Sequence, residues 1–356
     1  MIETDPDLVE YLDNGRIRCN VCEVRCSLKE GDRGFCETRL CKDGKIYSLI
    51  YGTSSGVCAD PIEKKPLYHF HAGSYVLSAG TRGCNFKCPG CQNWHISHDL
   101  PEEDAGNLKQ YTPEYSVQKT LETGCEGIAW TYNDPSIWFE HTYDTAVLAK
   151  EKGLYTVYVT NGYSTPEALN KIAPYLDAFR VDIKGFSRKT YRKISGLGKW
   201  ESIPKLAEHA KLDLGLHVEC VTNVTPTIND DPGELAEMAA WIHDGLGVET
   251  PWHVTRFQPY LDLAHLPPTP LPTLERTFNI GKEAGLHFVY LGNVPGHMGQ
   301  DTVCPGCGKI LVRRTGFGIE SASIENGHCP ACDTEIYGIW PERVPTSSGQ
   351  LFRVGI

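Results

Sequence analysis

Gly83-Cys84-Asn85-Phe86-Lys87-Cys88-Pro89-Gly90-Cys91 decides how this chain is read. The spacing is C-x3-C-x2-C, and no fourth cysteine completes the set locally. Thiolates are the natural ligands of an iron–sulfur cluster, and a cubane of four irons takes four of them. Three ligands leave one iron open, and an open metal position is where a cofactor or substrate binds. The competing reading is a structural zinc knuckle that borrows a distant ligand.

The chain around this run has 356 residues, enough for one large domain with appendages. It holds no apolar run long enough to span a bilayer, and Met1–Asn14 is polar and acidic rather than a signal peptide. A cytoplasmic protein that is not integral to a membrane is expected. The formal net charge of −11 gives no general basic surface for phosphate backbones, which argues against nucleic acid as a partner. Fifteen cysteines without an export signal point to metal rather than disulfides. Eleven of them fall into three compact groups, and that grouping organises the chain.

The leading group is Cys19, Cys22, Cys26 and Cys36, four thiolates that suit either structural zinc or an additional iron–sulfur cluster. Cys41 and Cys58 are nearby spares. The trailing group is Cys304, Cys307, Cys329 and Cys332. Two C-x2-C knuckles at this separation read as a zinc ribbon, with Lys309–Arg314 and Ile319–Ile324 as strands between them. Both knuckles also look like those of rubredoxin, where iron takes the same tetrahedral cage.

Between the two ends, short β-rich runs alternate with amphipathic stretches. The runs are Tyr75–Ser78, Gly127–Thr131, Tyr155–Thr160, Ala178–Ile183, Leu216–Thr222 and His253–Phe257, with Phe288–Leu291 as a candidate seventh. Helices are expected over Ser116–Thr123, Ser136–Lys152, Pro166–Ala173, Pro204–Leu212, Pro232–Asp244 and Pro272–Ala284, several opening with proline. This alternation means an α/β fold with a parallel sheet, closed or partly closed as a barrel, whose chemistry sits at the carboxyl ends of strands. Cys84 follows the first strand directly. Later strands end in Tyr132-Asn133-Asp134, Asn161-Gly162-Tyr163, Asp182-Ile183-Lys184, Asn223 and Gln258. Such a rim offers carboxylates for an ammonium, cations for a carboxylate and amides for hydroxyls.

The cysteine run resembles the cluster motif of the radical S-adenosylmethionine (SAM) enzymes. With Asp60–Phe70, Gly80–Phe86 and Cys91-Gln92-Asn93-Trp94, the chain looks more particularly like the AmmeMemoRadiSam-system radical SAM enzymes, relatives of the pyruvate formate-lyase activating enzymes. The resemblance runs nearly end to end. It implies a partial (β/α)6 TIM-like barrel over 73–298, an N-terminal cysteine-rich metal-binding segment over 1–72, and a C-terminal ribbon or rubredoxin-like module over 299–356. It implies a [4Fe–4S] cluster on Cys84, Cys88 and Cys91, SAM on the open iron, and a reduced flavodoxin or ferredoxin-type donor. Cleavage of SAM to a 5′-deoxyadenosyl radical, which takes hydrogen from an unidentified substrate, is the implied activity. Asn133 and Asp134 occupy the place of the segment that receives SAM's amino group. Asp182 and Lys184 match an Asp-x-Lys that contacts its methionyl part and ribose. Gln258 stands where related enzymes often carry a histidine, and Asn161 and Asn223 are ribose candidates or strand-end turn residues.

Two departures weaken the rival reading as a glycyl-radical-enzyme activase. Ser78–Gly83 lacks the activase run before the cluster, and the extra cysteines precede the cluster motif instead of following it. The rival from another class is a non-enzymatic iron–sulfur or zinc protein, an electron carrier or adaptor. Among the remaining residues, Cys125 and Cys220 read as buried structural thiols, with hydrogen-atom donation to a substrate radical as the alternative. His69, His71, His95 and His98 are expected to crowd the cluster region. Lys64 and Lys65 either steer an acidic partner or form a solvated charge run. Trp130, Tyr132, Trp138 and Tyr163 either line the site or fill the barrel.

Overall fold

A computed structural model describes residues 1–98 and 109–354. One nine-stranded sheet carries the fold. Its strands are β1 (Gly56–Pro61), β2 (Tyr75–Gly80), β3 (Gly127–Trp130), β4 (Tyr155–Thr160), β5 (Ala178–Asp182), β6 (His217–Val224), β7 (Trp252–Arg256) and β8 (Val289–Gly292), with Phe352–Arg353 on the outer edge of β1. From β2 to β8 every strand lies parallel to its sequence neighbour, while β1 and Phe352–Arg353 are antiparallel. The seventh parallel strand is thus present. Strands covered on both faces need apolar residues at nearly every position. β3, Gly-Ile-Ala-Trp, is buried throughout.

The helices that connect these strands are α1 (Pro113–Glu122), α2 (Phe139–Glu151), α3 (Pro166–Ile172), α4 (Arg188–Ser195), α5 (Ser202–Glu208), α6 (Pro232–Trp241) and α7 (Leu271–Glu283). α1, α3 and α6 share one start: proline at the first position, with Thr112, Thr165 or Asp231 accepting a backbone N–H. That cap places the start of α1 three residues before the expected Ser116. α4 was not expected, because Arg188, Lys189, Arg192 and Lys193 hide its pattern. Its buried Tyr191, Ile194 and Ser195 form one narrow stripe, Ser187 caps it, and Gly196 (φ +77°) ends it.

The N-terminal segment lies over the carboxyl ends of β3 and β4. Glu23 N–H donates to Tyr163 O (3.0 Å), Thr165 Oγ1 donates to Asn20 O (2.5 Å), and Arg39 pairs with Glu140 of α2. The C-terminal ribbon packs Leu311, Val312, Ile319 and Ile336 against Tyr68, Phe288 and Tyr290. Buried Arg314 fixes it there, its guanidinium 4.1 Å from the Tyr68 ring centre and donating to Tyr68 O (3.0 Å). β1 from the leading segment and Phe352–Arg353 from the trailing one both join the main sheet. No helix among the described residues is long and apolar enough to cross a membrane.

Candidate functional site: three cysteines above a strand-end cavity

Gly80 ends β2 where a side chain could not fit: a Cβ there would lie 2.6 Å from Thr131 O. This close approach seats the cysteine loop on the rim strands. Gly83 follows with φ +81°, and Cys84 then turns inward, 8% exposed. Cys84, Cys88, Cys91, Asn133, Asp134, Asn161, Asp182, Lys184, Asn223 and Gln258 line one cavity of about 420 Å³. All the rim residues expected from the sequence therefore converge, although their uses differ.

Asp134 is fully engaged by the protein. Its Oδ1 accepts Ser136 N–H (3.0 Å) and the Ser136 hydroxyl, and its Oδ2 accepts Thr160 Oγ1 (2.7 Å) and Asn161 N–H (2.8 Å). A carboxylate has about four lone-pair sites, so these four donors saturate it. Asn133 spans the cysteine loop: it accepts Thr81 N–H (3.2 Å) and donates to Gly83 O (2.8 Å). Asn161 donates to Asn85 Oδ1 (2.8 Å), two residues of the same scaffold. Tyr132, directly before Asn133, has φ +73°, a conformation costly for a bulky residue and held by the surrounding contacts.

Asp182 and Lys184 keep more freedom. Lys184 Nζ lies 2.9 Å from Asp182 Oδ2, and Arg180 pairs with the other oxygen. Burial opposes the charge on Asp182, but Arg180 and Lys184 hold its carboxyl below the usual range. Burial likewise opposes the charge on Lys184, and Asp182 with the nearby Cys88 keeps it charged. Asn223 donates to Thr255 Oγ1 (3.0 Å), and Gln258 is exposed at the mouth.

Arg180, Glu63, His253, Phe317 and Gln300 line the cavity without having been picked out in the sequence, and Lys65 lines it as well. Arg180 stands two positions before Asp182, and the two-residue period of a strand puts both on one face. Glu63 and Lys65 enter from the turn after β1. Lys65 is buried with its ammonium 2.6 Å from Asp60 Oδ2, and Lys64 also pairs with Asp60 (2.8 Å). The solvated-run reading of the two lysines is thereby corrected. Burial pushes Glu63 up to about 7, against the pull of Arg314. His253 faces the cavity and lies 2.6 Å from Glu219, which also accepts from His217 and from the N–H groups of Tyr68 and His69. Phe317 and Gln300 of the C-terminal module complete the wall, a contribution no local pattern announces.

Among the histidines, His98 Nδ1 lies 3.1 Å from Ser97 Oγ, itself 3.2 Å from Cys91 Sγ. His95 is exposed. His69 and His71 do not approach the cysteine loop: His71 stacks on Tyr155 at the start of β4, and His69 is locked between Tyr290 and Tyr337 O. Their place in the cluster region is corrected. Trp130 and Trp138 fill the core, and Tyr163 packs on Phe86, while Tyr132 lines the cavity. Cys125 and Cys220 are buried.

Burial pushes the Cys84 and Cys88 thiols up, Cys88 to about 12 against the pull of Lys184. Left to themselves they are neutral; a coordinated metal removes the proton outright. No zinc-spaced group of three or more ligands includes any of the three among the described residues, so the distant fourth zinc ligand is not found. Soft thiolate donors, three in number and facing a polar cavity, fit an iron–sulfur cluster with one open iron.

In the trailing module, Cys304 Sγ and Cys332 Sγ are 3.6 Å apart and Cys307 Sγ and Cys329 Sγ 3.7 Å, and all four sulfurs lie within 4.8 Å of one another. Zn–S bonds of about 2.3 Å in a tetrahedron place sulfurs roughly 3.8 Å apart. The module is consistent with a zinc ribbon.

Residues 79–242, which contain the cysteine loop and the rim from β3 to β6, match the family model of the radical SAM superfamily. Over that stretch the chain is similar to the radical SAM superfamily. An uncharacterized protein of Methanocaldococcus jannaschii is 40% identical over 329 residues, spanning 92% of this chain and 97% of its own. A second uncharacterized protein of that organism is 25% identical over 201 residues, 55% of this chain and 54% of its own. Among solved structures, a radical SAM methyltransferase from Sphaerobacter thermophilus is 14% identical over 65% of this chain and 71% of its own, with a TM-score of 0.48. A domain of a pyruvate-formate lyase-activating enzyme from Bacteroides vulgatus covers 47% of this chain and 99% of its own, at 12% identity and a TM-score of 0.38. Likeness at that level does not carry an activity across.

Proposed function

We propose that this protein is a radical SAM enzyme that binds SAM and a [4Fe–4S] cluster in the strand-end cavity, with Cys84, Cys88 and Cys91 as the cluster ligands. The observation that carries the reading is convergence: three thiols and a rim of amides, carboxylates and cations share one cavity. When bound, the cluster supplies one electron, from a flavodoxin or ferredoxin-type donor, that splits SAM into methionine and a 5′-deoxyadenosyl radical able to take hydrogen from a C–H bond.

The chain's own residues divide the remaining work. Asp134 is saturated by protein donors, and Asn133 and Asn161 each spend one donor and one acceptor on the scaffold, so these three fix the rim on which SAM lies. Asp182 and Lys184 offer free donor and acceptor capacity to the methionyl part and ribose. Asn223 and Gln258 offer amides farther along the rim. Tyr68, His253, Glu63 and Phe317 bound the part of the cavity left to the substrate, and the docked ribbon keeps water from that part. Subfamily membership with the AmmeMemoRadiSam-system enzymes rests on the end-to-end motif resemblance, and a cytoplasmic location suits the reduced thiols.

Anaerobic reconstitution with iron and sulfide, reduction with dithionite and addition of SAM should yield 5′-deoxyadenosine by mass spectrometry. The Cys84→Ala/Cys88→Ala/Cys91→Ala variant should yield none. Equal product from both proteins would refute the reading.

A further inference from the structure

We propose that Cys19, Cys22, Cys26 and Cys36 hold a second iron–sulfur cluster of the four-iron class, not zinc. All four line a single pocket, whose other walls are Val21, Val24, Phe35, Arg39 and Ile137. The spare thiols are elsewhere: Cys41 is outside the pocket, and Cys58 donates to Phe352 O (3.2 Å) at the sheet edge. The ligand count is therefore four, the number a cubane takes.

Spacing separates the two metals. Zinc draws four sulfurs to one centre, and the ribbon of the same molecule has that geometry. In the leading pocket no three of the sulfurs lie within 4.8 Å of one another. They ring a common space yet stay wider than a single ion permits. A cubane interposes irons and sulfides between its thiolates and spreads them in this manner.

The pocket is also prepared for sulfur-borne negative charge. Phe35 N–H donates to Cys26 Sγ (3.3 Å) and Thr38 Oγ1 donates to Cys36 Sγ (3.2 Å). Arg39 is 2% exposed; its Nη1 donates to Thr4 Oγ1 (2.8 Å) and Glu140, and its Nη2 to Ile137 O (3.2 Å) and Glu140. Its Nε–H is buried with no acceptor among protein atoms. A buried donor is rarely left unmade, and a cluster sulfide or thiolate is the acceptor this pocket would supply.

The pocket abuts the Cys84 loop. A Cβ on Gly83 would meet Cys36 O at 2.4 Å and Ile137 Cδ1 at 3.5 Å, so one residue separates Cys36 from Cys84 across the contact. With all four irons ligated by cysteine, the second cluster has no open position for substrate. It is a one-electron store beside the first site, a placement that rests on the function proposed above. The metal assignment does not.

The test needs no SAM. After anaerobic reconstitution, the Cys84→Ala/Cys88→Ala/Cys91→Ala variant should keep about four irons and four acid-labile sulfides per chain, with a cluster signal in electron paramagnetic resonance after dithionite. Adding Cys19→Ala/Cys22→Ala should abolish both. Iron in the ribbon would bring no sulfide, so it cannot imitate this result. Zinc at the leading site, with no sulfide in the triple variant, would overturn the proposal. Should that variant not fold, the native protein decides: about eight sulfides per chain are expected, and about four would overturn it.

Discussion

The two terminal groups of four cysteines use the same ligand in the same number, yet they are built for different contents. In the ribbon, paired sulfurs stand 3.6 and 3.7 Å apart, Cys307 and Cys332 are exposed, and the wall is made of turns. In the leading pocket the sulfurs stand wider, Cys19, Cys22 and Cys36 are buried, and an arginine lies among them with a free N–H. Cysteine spacing along a chain thus reports how many ligands meet. The separation of the sulfurs in space, and the charge built around them, report what they hold.

The largest expected effect is a crossed loss of metal. Cys19→Ala/Cys22→Ala should remove iron and sulfide from the leading site while the ribbon metal stays. Cys304→Ala/Cys307→Ala should remove one tetrahedral ion and leave sulfide untouched. Metal and sulfide analysis of the two variants checks this, and loss of the same metal from both would erase the contrast. Next comes Gly83→Ala. It forces a side chain into left-handed backbone and onto Cys36 O, so it should cost about 3 kcal/mol or more of stability in thermal unfolding. It should also lower cluster occupancy on both sides of the contact, with little change in the ribbon metal.

The smallest effect concerns the reach of the ribbon into the cavity, where Arg314 works to hold Glu63 down against burial. The folded carboxyl sits at about 7 against an ordinary 4.5. Between those values the folded state binds the proton more tightly than the unfolded state. This group's contribution therefore lowers stability as pH rises from about 4.5 to about 7, and levels off above. Glu63→Gln should flatten that part of the pH–stability curve, measured by thermal unfolding between pH 5 and 8. Arg314→Met should steepen it.

Much of the parallel sheet and the gathering of the site was legible because the signals are local. C-x3-C-x2-C follows a strand directly, and each rim segment sits within a few residues of a strand end. Legibility failed where the outcome depends on what lies across the fold. Asp134 resembles an ammonium ligand in sequence, but Thr160 and Asn161 of the next strand arrive to saturate it. Lys65 resembles a surface charge until Asp60 is folded against it. His69 and His71 lie close to the cluster in sequence, but the fold seats His71 on Tyr155 at the start of β4 and His69 against Tyr290 and Tyr337. Phe317 belongs to the cavity only because Arg314 docks the ribbon against Tyr68. The metal of the leading group was undecided for the same reason: four cysteines in sequence carry no sulfur-to-sulfur distance.

The most direct test of the SAM site is electron–nuclear double resonance on the dithionite-reduced Cys19→Ala/Cys22→Ala variant, incubated with SAM labelled with ¹⁵N in the amino group and ¹⁷O in the carboxylate. An open iron held by Cys84, Cys88 and Cys91 should show hyperfine coupling to both labels, lost in Cys88→Ala. A reduced cluster with no coupling to either label, at SAM concentrations that saturate binding, would contradict the site described here.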